Sequence, residues 1–312
     1  MEYRQLGQTD MQVSALGFGA SSLGGVFHEI DEDEGIRTVH RAIKLGINFI
    51  DVSPYYGITR AETVLGKALA AIPRDQYYLA TKAGRYGDHA FDFSAQRVVR
   101  SVDESLARLG VDYVDLIQCH DIEFGDLDQV VRETLPALNR LRQTGKVRYV
   151  GVTGLPLKIF GCVLGRVEPR TVDTILSYCH FALNDTSLTC LLDDLQAKRI
   201  GVINASPTGM GLLTDRGAPP WHPASDQIKQ TCQQAAAHCR DRGQDIAELA
   251  IRFAVSDCRI ATTLVSTASV QHIEANVRAA ESPLDEALLA EVRAILRPIH
   301  DQSWPSGRLV NN

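Results

Sequence analysis

No stretch of the sequence approaches the roughly 18 consecutive apolar residues of a membrane-spanning helix, so no span is expected. Met1 to Asp10 holds no apolar core of the kind a secretory leader carries, and cytoplasmic residence is the expectation. A basic stripe is also missing. The formal net charge is -6 and the sequence pI about 5.9, which argues against a nucleic-acid backbone as partner. The seven cysteines, Cys119, Cys162, Cys179, Cys190, Cys232, Cys239 and Cys258, are odd in number, and no two stand as C-x-x-C. That pattern speaks against a disulfide framework or a zinc site and for reduced thiols. H-E-x-x-H, H-x-x-E-H and G-x-S-x-G are absent, so neither a metal nor a nucleophilic serine is expected. No Pro/Gly/Ser-rich linker divides the 312 residues, and a single domain over 1–312 is expected.

What is present is a repeating alternation. With 45% hydrophobic residues a chain of this length buries a large core without staples. A hairpin is read first, with arms at residues 3–6 and 12–13 and a turn at Gln8-Thr9-Asp10. Strand-like runs follow at 15–18, 48–51, 77–82, 113–119, 147–152, 174–177, 200–204 and 262–265. Between them lie helix-like runs at 33–45, 61–71, 94–109, 127–144, 157–164, 187–198, 227–242 and 246–256, and two more, 270–280 and 285–296, close the chain. Ser94 reads as an N-cap and Gly46 as a C-terminal stop. The acidic run Glu29 to Glu34 suits a helix N-terminus, where carboxylates complement the dipole. Alternation of this kind implies a parallel sheet, and eight units in about 300 residues imply closure into a (β/α)8 TIM barrel. A doubly wound open sheet is the rival. It carries G-x-G-x-x-G after its first strand, whereas here Gly17 to Gly25 reads GFGASSLGG.

Barrel enzymes place their chemistry at the carboxyl ends of the strands. The second strand ends at Asp51, shortly before Tyr55-Tyr56-Gly57, the third at Lys82, and the fourth runs into His120-Asp121. Each has an ordinary reading as well: Asp as a turn cap, Lys as a surface charge, His and Tyr as packing. Together on neighbouring strand ends they support proton transfer coupled to hydride transfer. Free tyrosine ionises near pH ~10, too high for acid–base work near neutrality. A nearby ammonium is expected to lower that value, with a carboxylate keeping the lysine charged.

These residues resemble the aldo-keto reductase family, from about Tyr3 to the C-terminus. The resemblance is carried by Gly46-Ile47-Asn48-Phe49-Ile50-Asp51 with Tyr55-Tyr56-Gly57, and by Leu109-Gly110-Val111-Asp112-Tyr113-Val114-Asp115-Leu116 leading to His120. It implies that Tyr56 is the proton donor or acceptor, that Lys82 and Asp51 tune it, and that His120 orients the substrate. Tyr55 is then a packing neighbour. Further stretches resemble members that oxidise aldoses at C1: 120–125 (HDIEFG), 151–156 (GVTGLP), 175–180 (ILSYCH), 221–225 (WHPAS) and 304–307 (WPSG). The implied reaction takes C1 of L-galactose, or a related aldose such as L-fucose, to the lactone, a product that fits ascorbate synthesis or sugar catabolism. The implied cofactor is a nicotinamide dinucleotide; a monomer or weak homo-oligomer is expected.

The resemblance also implies cofactor contacts from Gly19, Ala20 and Ser21 after the first strand, from Ser177, and from Ser206. Gly209, Gly211 and Leu212 are expected to fold over the pyrophosphate, where glycine lets backbone N–H groups approach. Many members follow the fifth strand with Ser-Asn to hold the carboxamide; here Thr153-Gly154 keeps only a hydroxyl. A nicotinamide-stacking aromatic after the seventh strand is replaced by Ala205. NADP-preferring members clamp the 2′-phosphate with Lys and Arg, and here Ser266 and His272 stand instead. NAD is therefore expected to be preferred, with NADP possible. Ser269 and Gln271 are ribose neighbours in this reading, and Asn276 contacts the adenine. His28, Asp121, Phe124, Tyr178, Asn184 and Trp304 are candidate pocket residues. Two other readings stay open: an NADPH-dependent reductase of small aldehydes, and a non-catalytic cofactor-binding regulatory subunit.

Overall fold

The computed structural model describes residues 1–26 and 29–312. A two-stranded antiparallel hairpin opens the chain, β1 (Tyr3–Gln5) against β2 (Gln12–Ser14), with Tyr3 opposite Ser14. The strands that follow are β3 (Leu16–Gly19), β4 (Phe49–Asp51), β5 (Tyr78–Ala83), β6 (Val114–Cys119), β7 (Val147–Gly154), β8 (Thr174–Tyr178), β9 (Gly201–Ala205) and β10 (Thr262–Ser266). They pair in parallel in sequence order, and β10 returns to β3 with Thr263 opposite Leu16, which closes the expected barrel. Every residue of β3, β4 and β6 is buried, as befits parallel strands covered on both faces.

The helices are in several cases capped by side chains. They are α1 (Glu32–Lys44), α2 (Arg60–Leu69), α3 (Ala95–Leu109), α4 (Leu127–Gln129), α5 (Leu135–Gln143), α6 (Lys158–Leu164), α7 (Thr189–Ala197), α8 (Asp226–Asp241), α9 (Ile246–Ala254), α10 (Val270–Glu281) and α11 (Glu286–Leu296). The Asp31 carboxylate caps α1 by accepting from the Glu34 N–H at 3.0 Å, with Glu32, Asp33 and Glu34 in the first turn and Arg41 and Lys44 in the last. Ser94 caps α3, and Gly110 ends it in the left-handed conformation at φ 68°.

One continuous helix was expected over 127–144, and the structure breaks it. Residues Val130–Thr134 form a π-turn between α4 and α5, and the Leu135 N–H reaches back to the Val130 carbonyl. Pro136 accounts for the step, because it has no N–H to offer the preceding turn.

Two apolar layers build the core. The larger lies between the barrel and its helices. The smaller fills the barrel's amino-terminal end with Phe49, Ala80, Leu116, Leu176, Ile203 and Leu264, plugged from below by Leu6, Met11 and Val13 of the hairpin. Side chains two apart on a strand share a face. Phe49, Ala80 and Leu116 therefore predict what stands one layer higher: Asp51, Lys82 and Gln118. The apolar floor of the barrel thus sets the register of a polar layer directly above it.

Candidate active site

Asp51, Lys82 and Gln118 are at most 2% exposed and bond to one another. The Lys82 ammonium donates to Asp51 Oδ1 and, at 3.0 Å, to the Val52 carbonyl. Gln118 Nε2 donates to the other Asp51 oxygen at 2.7 Å. Lys82 Nζ lies 4.8 Å from the centre of the Tyr56 ring. The Tyr56 and His120 rings meet edge-on at 5.8 Å and 87°. The four residues of the expected tetrad are therefore adjacent, and Gln118 joins them. Strand alternation signalled it, since Gln118 lies two positions before His120.

Electrostatics departs from expectation at the tyrosine. Burial raises the Tyr56 phenol above its ordinary value, and the Lys82 charge only partly offsets this. Burial likewise lifts the Asp51 carboxyl against the pull of Lys82. For Lys82 burial acts downward, but the Asp51 and Tyr56 charges outweigh it and the ammonium is held. Burial drives His120 down to about 3, so its imidazole is neutral.

The backbone of Tyr56 is fixed by a close approach. A Cβ on Gly24 would lie 2.6 Å from the Tyr56 carbonyl oxygen, and one on Gly57 only 2.1 Å from that of Gly24. Gly57 also needs φ +62°. The short helical turn Ala20–Gly24 after β3 thus presses directly on the Tyr56 segment.

Around the tetrad stands a polar and aromatic wall. The Arg85 guanidinium donates to Asp121 Oδ2 at 2.6 Å and stacks at 3.8 Å on Tyr55, with Phe91 and Phe124 each at 5.3 Å. Phe124 and Phe91 stack at 4.5 Å. Tyr55 donates to Asp88 at 2.8 Å, and burial pushes its phenol up to about 12. Burial would lift the Asp121 carboxyl, but the Arg85 charge helps hold it below its ordinary range. Burial raises Tyr178 strongly, next to Asp121 and Glu123. Arg85 was not singled out in the sequence, and Glu123 stood only within the quoted stretch 120–125, with no role of its own.

The last residues close this wall. Ser306 donates to Glu123 Oε1 at 3.0 Å, and the Arg308 N–H and Asn311 Nδ2 donate to the Glu123 carbonyl at 3.0 and 2.8 Å. Burial and the nearby Asp121 charge push the Glu123 carboxyl up to about 8. Trp304 meets His222 edge-on at 4.8 Å, and His222 bonds the Gly209 carbonyl at 3.0 Å. Asn184 is buried with its Oδ1 unpartnered. His28 lies outside the described residues.

The cofactor residues are placed with three differences from expectation. The Thr153 hydroxyl is committed to Asp121, accepting from its N–H at 2.9 Å and donating to Oδ1 at 3.3 Å. It supports the pocket wall with its proton and one lone pair, which leaves the second lone pair for a carboxamide N–H. The N–H groups of Gly209, Gly211, Leu212 and Leu213 bond the loop's own carbonyls, because the segment folds into a 3-10 turn. Glycine is needed there for φ +58° and +105°, and not to present donors. The Ser266 hydroxyl is held by Ser21 and Ser22 at 2.8–2.9 Å. Gly19 and Ala20 lie buried beside this cluster, at the end of β3. Ser206 adopts φ 57° after β9. Ser269 is the N-cap residue of α10, with Gln271, His272 and Asn276 on that helix.

A dinucleotide suits this rim. Ser177 at the end of β8 is fully buried, and its hydroxyl has no partner, as a group awaiting a carboxamide would be. The first turn of α10 has no acidic residue and no side-chain cap from Ser269, which leaves its N–H groups suited to a phosphate. Among the described residues no group of three or more His, Cys, Asp or Glu side chains is placed to hold a metal ion.

Comparison with known proteins agrees with the fold. Residues 15–297 match the model of the aldo/keto reductase family. The chain is 53% identical to L-galactose dehydrogenase of Arabidopsis thaliana, over 98% of each chain. It is 34% identical to D-arabinose 1-dehydrogenase of Saccharomyces cerevisiae, over 78% of this chain and 76% of that one. Among solved structures, an aldo-keto reductase of Bacillus halodurans in its holo form superposes with a TM-score of 0.80 at 28% identity, over 98% of each chain. The chain belongs to the aldo-keto reductase family and is an oxidoreductase acting on a CH–OH group.

Proposed function

We propose that the protein is an NAD-dependent sugar 1-dehydrogenase that oxidises C1 of L-galactose, or an aldose of related stereochemistry such as L-fucose, to the lactone. The observation that carries this reading is the full-length 53% identity to a plant L-galactose dehydrogenase. The site's chemistry supports it. Tyr56, as phenolate, accepts the C1 hydroxyl proton, with the Lys82 ammonium 4.8 Å from its ring to stabilise the charge. The neutral His120 holds the same hydroxyl oxygen. When bound, the oxidised nicotinamide supplies the hydride acceptor at C4. Asp121, an anion anchored by Arg85, offers an acceptor for a further sugar hydroxyl, and the Phe91–Phe124 stack excludes water beside it.

NAD preference is supported by charge. Residues 266–276 contain no Lys or Arg, and Glu274 there is paired with Arg41 at 2.7 Å. A phosphate monoester carries about -1.5 to -2 charges and finds no cation in that segment. The test is formation of reduced cofactor, followed in its own absorbance band, with L-galactose, L-fucose and D-arabinose, each with NAD and with NADP. The expected result is turnover with NAD and L-galactose at the highest kcat/KM. A higher kcat/KM with NADP would overturn the cofactor assignment, and silence with all three sugars would overturn the substrate class.

A further inference from the structure

The His120 imidazole is neutral, so a single proton is shared between its two nitrogens, and which one carries it decides what the ring can do. The hydrogen bonds at both ends of the ring settle the matter. On the Nδ1 side lies the Ser53 hydroxyl, fully buried, at 3.0 Å. That oxygen already accepts from the Tyr55 N–H at 3.1 Å, and its own proton has no other acceptor among the described residues. Were Nδ1 protonated, Ser53 would accept twice and its buried proton would be left without a partner, at a cost of about 1–3 kcal/mol. On the Nε2 side lies Asp121 Oδ2 at 3.6 Å. An unprotonated Nε2 would set a lone pair against a carboxylate.

We propose that Ser53 is a positioning residue that donates to His120 Nδ1 and thereby fixes the proton on Nε2, the nitrogen facing Asp121 and the substrate. His120 then serves as a hydrogen-bond donor to the sugar's C1 oxygen and is unable to take its proton, which leaves Tyr56 as the proton acceptor. The same hydroxyl, accepting from the Tyr55 N–H and bonding His120 Nδ1, ties the loop after β4 to the end of β6. Tyr56 and His120 are thus held in register by one hydroxyl. The inference rests on the proposed sugar oxidation only for its kinetic consequence; the tautomer is a property of the protein alone.

The test is nitrogen-15 NMR of the imidazoles in the intact protein, with His120 assigned by its loss in His120→Gln. The expected spectrum shows a protonated, pyrrole-like Nε2 and a pyridine-like Nδ1. In Ser53→Ala the two nitrogens should move toward averaged shifts, and kcat should fall about tenfold or more, as when a catalytic histidine is left in the wrong tautomer. KM for the cofactor should be unchanged, and Ser53→Thr, which keeps the hydroxyl, should restore both readouts. A wild-type spectrum with the proton on Nδ1 overturns the proposal without any variant or substrate. Shifts and kcat that are both unchanged in a folded Ser53→Ala overturn it equally.

Discussion

Tyr56→Phe is expected to lower kcat for sugar oxidation by about 10²–10⁴-fold while leaving the fold and cofactor binding in place. The ring packs edge-on against His120, and only the hydroxyl is lost. The pH dependence carries more information than the loss itself. Burial raises the Tyr56 phenol above its ordinary value, and oxidation needs the phenolate. The rate should therefore climb with pH, by about tenfold per unit below the phenol's pKa. His120, at about 3, and Lys82, raised above its ordinary value, keep one charge state over the neutral range. In Tyr56→Phe the residual rate should lose that slope and keep only the step contributed by the Glu123 carboxyl, at about 8. Steady-state rates between pH 6 and 9 would check this; a slope retained in the variant would assign the titrating group elsewhere.

Lys82→Met tests the same site through stability. Lys82 and Asp51 are 1% and 2% exposed, and removing the ammonium leaves a buried carboxylate with only Gln118 to bond it. Breaking such a pair typically costs about 3–5 kcal/mol. For a domain of this size the melting temperature should fall by about 5–10 °C. The double variant Asp51→Asn/Lys82→Met removes the stranded charge and should recover much of the loss. Both variants should be inactive. Equal stability of the single and double variants in thermal melts would show that the pair contributes by packing alone. The contrast matters because the phenol tolerates truncation, whereas the cation that stabilises its charge is also part of the barrel's interior.

The fold was legible because apolar periodicity and strand-end residues act locally. Strand alternation placed eight strands within a residue or two of their positions, and Ser94 and Gly46 marked helix ends. Asp51, Lys82 and His120 could be found because each sits at a strand's carboxyl end, where the register of the apolar floor dictates orientation. What could not be read depends on contacts between distant segments. Pro136 sits inside an apolar helical pattern, and the pattern hid the π-turn it forces. Arg85 and Glu123 look like surface charges until the barrel brings one against Asp121 and the other beneath residues 306–311. The Thr153 hydroxyl was expected to serve the cofactor, and Ser266 to line its site where other members carry a cation. Their partners, Asp121 and the Ser21–Ser22 turn, lie 32 and 244–245 positions away, which no local pattern reveals. The Tyr56 phenol was expected to fall because a lysine was near; the depth of burial, which sequence does not carry, reverses the sign.

The wall made by Glu123 and residues 306–311 has a consequence in time. Its hydrogen bonds join positions 183 to 188 apart, about three-fifths of the chain length. Contacts that distant close long loops, though shorter ones than the pairing of β10 with β3 that completes the barrel. Among the described residues they are made to Glu123 and Gly125, after β6, and are not strand-pairing bonds of the barrel, which suits local opening. The Arg308 and Asn311 amides should exchange with solvent deuterium far sooner than those of β6. That order of exchange would leave the tetrad, held by barrel strands, in place after the pocket wall, which rests on the hydrogen bonds of residues 306–311.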